Sequence, residues 1–134
     1  MNKSKGFTII ELIVVIAIIA VLAAIVLVNV TSYINKGKDA AIKGNMAQMA
    51  TQAATIYAET GSYSTLETQP NFVSAVSAIT NANSAPLVGV TAITYAAYCV
   101  EATLKDATIW CVDSTGYVGL IVSTHCASGT PSCK

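Results

Sequence analysis

Charge is scarce in this 134-residue chain: charged side chains make up 10% and the net charge is zero, which leaves no long-range field to steer a nucleic acid onto it. Catalytic signatures are missing too. There is no G-x-S-x-G elbow, P-loop or glycine-rich dinucleotide fingerprint, and the single histidine, His125, has no nucleophile to serve once the cysteines are oxidised. No C-x-x-C pair occurs, so a zinc site on Cys126 and the adjoining His125 lacks the usual ligand spacing. Glu67, Glu101, Asp106 and Asp113 match no calcium loop and read as solvated turn residues. The tyrosines repeat at no stacking interval. The expectation is therefore no catalytic residue, no cofactor and no metal ligand.

What the chain does have is apolar sequence, unevenly placed. Hydrophobic residues make up 54% of it, and residues 12–28, "LIVVIAIIAVLAAIVLV", carry no polar side chain. As a helix, Phe7–Val28 would run about 33 Å, enough to span a bilayer. One carboxylate, Glu11, interrupts it. On insertion scales such a charge costs roughly 2.5–3.5 kcal/mol, so it needs a function. From Asn29 onward the chain is rich in Thr, Ser, Ala and Asn and reads as an exported globular domain. The length fits one domain with one appended element. Cys99, Cys111, Cys126 and Cys133 form an even set near the carboxyl end, as in a disulfide framework outside the cytosol.

The amino-terminal segment fits an ordinary secretory signal poorly. "MNKSKG" supplies a basic start through Lys3 and Lys5, but the apolar run is longer than a signal core, and the small residues Ala20, Ala23 and Ala24 are embedded in further apolar sequence. A plain signal anchor would tether the domain but leaves Glu11 unexplained. "KGFTIIELIVVIAIIAVLAAI" resembles the start of type IV pilins and the related pseudopilins: a short basic leader, Gly6 directly before Phe7, and a glutamate fifth after that junction.

The resemblance implies cleavage by a prepilin peptidase between Gly6 and Phe7, N-methylation of Phe7, and retention of the apolar segment. Glycine suits the junction because a residue without a side chain lets a protease approach the backbone closely. Subunits would be held in the inner membrane as single-pass proteins, extracted by an inner-membrane assembly machinery, and built into a homo-oligomeric helical filament at the cell surface. There the Phe7 amine of one subunit would approach Glu11 of a neighbour, so that only aligned helices leave the carboxylate paired. The alternative for Glu11 is a protonated or snorkelling carboxylate. A secretion-system pseudopilin is the second reading within the family, and a signal-anchored binding or enzymatic domain is the reading outside it. Lys36, Lys38 and Lys43, with Asp39 among them, make a weak phosphate track; lipid headgroups or neighbouring subunits explain them equally well. Positive charge on both sides of the span leaves its orientation open, whereas the cysteines put the domain outside.

Beyond the span, Ile42, Met46, Met49, Ala53, Ile56 and Tyr57 recur at helical spacing and predict a core-facing helix that continues to about Glu59 and stops at Gly61. Where many relatives have glycine and proline, this chain has Ala20 and Val28, so its amino-terminal helix should be more continuous. Gly37 and Gly44 fall on one face and either allow close helix approach or lower rigidity. Phe72, Val76 and Ile79, between Pro70 and Pro86, suggest a short helix or an irregular connection.

Three β-like runs follow, "AITYAAYCV", "ATIWCVD" and "YVGLIVS". A three-residue loop Leu104–Asp106 would set Thr103 against Ala107 and Cys99 against Cys111, favouring a bridge between those cysteines, with Tyr98, Val100, Trp110 and Val112 facing the helix. Cys126 and Cys133 would then close a loop around Gly129 and Pro131, similar to the carboxy-terminal loop of many pilins, although four cysteines allow three connectivities. The expected fold class is α+β: a long amino-terminal helix, half apolar and half amphipathic, packed on a small antiparallel sheet. Expected bounds are a leader at 1–6, a membrane or filament-core helix at 7–28, and a globular domain at 29–134 that includes the second half of the helix.

Overall fold

A computed structural model of the chain describes residues 6–83, 93–123, 126–127 and 130–134. Lys3, Lys5, Pro86, His125 and Gly129, considered above, lie outside these residues. The long helix α1 runs Ile9–Thr60. Its residues belong to two compact units that divide between Asn35 and Lys36.

The first unit is the apolar half of α1. Nothing between Ile9 and Asn35 breaks it, since the segment has no glycine or proline, and Asn29 and Thr31 turn their side chains back onto the Ile25 and Leu27 carbonyls. Its large side chains stand exposed all around the helix, from Ile9 at 77% to Leu27 at 73%. A helix apolar on every side is built to be surrounded.

In the second unit, α1 continues over Lys36–Thr60 and turns Ile42, Met46, Met49, Ala53 and Ile56 into the core, as the helical stripe predicts. Tyr57 is the exception. It is 44% exposed and stacks on Tyr63 with ring centroids 4.7 Å apart. Gly61 ends the helix at φ +71° and donates its N–H to the Tyr57 carbonyl at 2.8 Å, a left-handed stop that an L side chain resists. After a short 3₁₀ turn at Leu66–Thr68, helix α2 spans Pro70–Asn83 and buries Phe72, Ala75 and Ile79. Pro70 opens it at a position where a missing N–H costs nothing.

The sheet is antiparallel, with β1 (Cys99–Thr103), β2 (Ile109–Asp113) and β3 (Val118–Ile121) in sequential order. β1 begins at Cys99, so residues 93–98 of the first β-like run lie outside the strand. The register differs from the expected one by two residues: Thr103 faces Ile109 and Cys99 faces Asp113. The connection is Leu104–Thr108, not three residues. Leu104 N–H reaches the Thr108 carbonyl, Ala107 takes φ +65°, and Asp106 accepts from the Thr108 N–H and hydroxyl. The longer loop also carries Lys105 to both helices, where its N–H meets Asp39 at 2.7 Å and its Nζ meets the Asn83 carbonyl at 2.6 Å.

A slip of two residues does not change faces. Val100 and Ala102 still pack with Val112 and Trp110 toward the helices, while Cys99, Glu101, Cys111 and Asp113 share the opposite face. A two-stranded ribbon, β4 (Cys126–Ala127) and β5 (Thr130–Pro131), closes the chain.

Candidate functional site

The amino-terminal site is built around the helix start. Gly6 is exposed and has open space where a Cβ would point, and Phe7 is 79% exposed. The peptide between them is accessible. Four residues beyond Phe7, Glu11 is engaged. Its Oε2 accepts the Thr8 N–H and the Thr8 hydroxyl, each at 2.8 Å, while the Glu11 N–H donates to Thr8 Oγ1 at 3.3 Å. This is a capping box, in which the residue before the helix and the third residue within it satisfy each other's orphan groups. Both bonds fall on Oε2, and Oε1 has no partner among the described residues.

Thr8 is the functional residue that sequence reasoning passed over. The signal was present as T-x-x-E ahead of an apolar run, "TIIE" at Thr8–Glu11. Reading Glu11 only as a charge in need of a counter-ion hid its local role, which is to start the helix.

The remaining predicted site residues are the cysteines, and here the pairing needs correction. The bridges are Cys99–Cys126 and Cys111–Cys133, with Cα separations of 5.4 and 5.9 Å, in place of Cys99–Cys111 and Cys126–Cys133. The two-residue slip is the reason. Cys99 now lies diagonal to Cys111, their Sγ atoms 3.7 Å apart and not bonded, and the carboxyl-terminal segment supplies a partner to each strand, Cys126 from β4 and Cys133 from beyond β5. Because each bridge has one cysteine inside the loop closed by the other, Cys111 within 99–126 and Cys126 within 111–133, the two interlock. Sequence separations of 27 and 22 give about 3–4 kcal/mol apiece in the chain-entropy model, less when combined because the loops overlap.

Two carboxylates expected to be solvated are instead buried. Glu101 and Asp113 are each 2% exposed, whereas Glu67 and Asp106 are exposed as expected. Asp113 organises the carboxyl end: Oδ1 accepts from the Thr115 N–H, the Thr115 hydroxyl and the Tyr117 N–H, and Oδ2 accepts the Cys133 N–H at 2.7 Å. Burial by itself would raise its pKa. These hydrogen bonds outweigh it and hold the carboxyl below the ordinary aspartate range. Glu101 accepts the Cys126 N–H at 3.3 Å, so each carboxylate holds one cysteine of the carboxyl-terminal segment to the sheet.

Helix α1 is long and apolar enough to cross a membrane. Residues 1–27 match the family model described as the prokaryotic N-terminal methylation motif. No curated protein and no solved structure matches the chain. The motif points to a structural subunit and not to an enzyme, to processing by a prepilin peptidase, and to membrane anchoring before assembly. This prepilin signal, on a long helix that packs against a three-stranded antiparallel sheet, supports a type IV pilin or pseudopilin family.

Proposed function

We propose that this chain is the structural subunit of a type IV pilus-like filament, processed between Gly6 and Phe7, N-methylated on Phe7, and polymerised through its amino-terminal helix. One observation carries the reading: apart from Thr8 and Glu11, the helix offers only apolar side chains from Phe7 to Leu27, all of them exposed. Burial of each large side chain is worth about 1.5–3 kcal/mol, so the segment does not face water. Lipid covers it first, and copies of the same helix cover it afterwards; extraction exchanges one apolar environment for another.

Glu11 then serves two purposes. Oε2 caps its own helix, and Oε1 is turned to the Phe7 amine of a neighbouring subunit, which fixes the axial register. Residues 1–6 are the leader, 7–28 the membrane and filament-core helix, and 29–134 the exported domain. The prepilin peptidase and the inner-membrane assembly machinery are its transient partners, and the mature filament stands at the cell surface. The interlocked disulfides favour a surface pilus over a secretion pseudopilus, since subunits facing the exterior benefit most from covalent closure.

Co-expression with a prepilin peptidase is the test. Intact-mass analysis is expected to show loss of "MNKSKG", a Phe7 amino terminus and one added methyl group. A chain that keeps its leader is a signal-anchored domain, and the proposal fails. Imaging of sheared filaments for this subunit separates pilus from pseudopilus.

A further inference from the structure

We propose that this chain is a substrate of a thiol–disulfide isomerase outside the cytosol, because its bridges are crossed and its cysteines emerge in an order that favours the wrong pairs. This holds on the export proposed above, in which residues 29–134 leave the cytosol in chain order. The bridges join Cys99 to Cys126 and Cys111 to Cys133, so neither closes before the carboxyl-terminal segment arrives. Cys111 precedes Cys126 by 15 residues, a lead of about 1–3 s at a synthesis rate of about 5–20 residues per second. A hairpin forms in microseconds. Slipped by two residues, the β1–β2 hairpin keeps both faces and sets Cys99 directly opposite Cys111, a pair that a disulfide can join. Loop length adds to the bias. Cys99 and Cys111 are 12 residues apart against 27 for Cys99 and Cys126, and Cys126 and Cys133 are 7 apart against 22 for Cys111 and Cys133, which favours the consecutive pairs by roughly threefold or more at each bridge. An oxidant that acts on thiols as they appear therefore makes Cys99–Cys111 and then Cys126–Cys133.

The folded structure shows what the wrong pairs forfeit. A bridge between Cys99 and Cys111 locks the slipped register and removes the Leu104–Thr108 loop that carries Lys105 to Asp39 and to the Asn83 carbonyl. The buried carboxylates of Glu101 and Asp113 lose the Cys126 and Cys133 N–H donors, and a buried charge short of donors is unfavourable. Tyr117 and Ile121, which pack on the native cysteine cluster, lose that cover. The misbridged chain is thus less stable than the native one and shows more apolar surface on the sheet face opposite the helices. Both differences drive exchange toward the crossed pairs once a thiolate is supplied.

A dithiol-protein oxidase makes the first two bridges, taking two electrons and two protons for each. Their correction needs no further oxidant. The isomerase thiolate attacks the Cys99 sulfur of Cys99–Cys111, forming a mixed disulfide and releasing the Cys111 thiolate. The Cys111 thiolate attacks the Cys133 sulfur of Cys126–Cys133, which forms Cys111–Cys133 and releases the Cys126 thiolate. The Cys126 thiolate then attacks the Cys99 sulfur of the mixed disulfide, forming Cys99–Cys126 and returning the isomerase thiolate.

The test expresses the full chain with a prepilin peptidase in a bacterial host that keeps its exported dithiol oxidase, with the disulfide isomerase present or deleted. Thiols are blocked with iodoacetamide shortly after synthesis, and the bridges are mapped on unreduced peptides. Without the isomerase, Cys99–Cys111 should be the main product and the native-bridged chain should fall at least threefold. Active isomerase added to the misbridged chain in detergent should convert most of it to Cys99–Cys126 and Cys111–Cys133, and iodoacetamide-blocked isomerase should not. A chain carrying Cys99→Ser and Cys126→Ser has one pair left to make, so its yield of Cys111–Cys133 should be the same in both hosts. Native bridges that form equally well without the isomerase, the absence of Cys99–Cys111 from the blocked samples, or a two-cysteine chain that needs the isomerase as much as the parent would each overturn the proposal. Intact mass of the same samples reads the leader separately: a chain that keeps "MNKSKG" defeats the filament reading, while the bridge map alone decides this one.

Discussion

Replacing Glu11 by glutamine separates its observed capping of the helix from the intersubunit pairing proposed for it. The amide oxygen still accepts the Thr8 N–H and hydroxyl that now reach Oε2 at 2.8 Å, so the helix start survives. What disappears is the negative charge. Breaking a buried ion pair by neutralising one partner costs about 3–5 kcal/mol, because the other charge stays buried alone. On the proposed assembly each added subunit would form one such pair, and every 1.4 kcal/mol is about tenfold. Glu11→Gln should therefore raise the subunit concentration needed for polymer by at least about a hundredfold, which in cells with the assembly machinery reads as no sheared filaments.

Thr8→Ala is the control. It removes the hydroxyl but keeps the backbone bond to Glu11, and loss of an N-cap side chain costs about 0.5–2 kcal/mol, typically near 1. Filament yield should fall severalfold without vanishing. Intact-mass analysis of both variants ensures that lost polymer is not lost processing. If Glu11→Gln polymerises like the parent, or if Thr8→Ala is the more damaging of the two, the charge-register argument is refuted and Glu11 is only a helix cap.

Asp113→Ala should destabilise the Lys36–Lys134 unit by about 2–4 kcal/mol, since the Cys133 N–H is left unsatisfied in a buried site and the Tyr117 and Thr115 donors lose their acceptor. Denaturant unfolding of the full chain in detergent measures this; a loss below about 0.5 kcal/mol would mean that the carboxylate organises nothing. The pH dependence has a definite sign. A carboxyl held below its ordinary range in the folded state contributes stability that is complete above the unfolded pKa of about 3.9 and is lost as pH falls through the folded value. Unfolding profiles below pH 4 should therefore be flatter for Asp113→Asn than for the parent. Ala107→Gly should stabilise by up to about 1 kcal/mol, because the residue sits at φ +65°, where a Cβ is disfavoured and glycine is not. Destabilisation by this change, seen as a lower melting temperature, would show that the Ala107 methyl contributes packing that outweighs its backbone strain.

The sequence by itself determined the parts of this protein that depend on local pattern. An unbroken apolar run with a basic leader, Gly6–Phe7 and Glu11 suffices for the amino-terminal reading, because composition and short spacing carry it. The stripe from Ile42 to Ile56 and the stop at Gly61 are likewise legible, since helical period and a left-handed glycine are properties of neighbouring residues. Even the facing of β1 and β2 was readable, because alternation by two survives a slip of two.

Tertiary structure alone decided the register and everything that depends on it. The β1–β2 loop is set at Leu104–Thr108 by Lys105 reaching Asp39 and Asn83, contacts across 66 and 22 residues that no local signal announces. That one choice moved Cys99 off Cys111 and left each to pair with a cysteine of the carboxyl-terminal segment, which covers the face that carries Glu101 and Asp113 and buries them as its anchors. Disulfide connectivity and the burial of a carboxylate are long-range facts. They follow from which backbone donors the folded chain brings to them, and a single sequence does not contain that list.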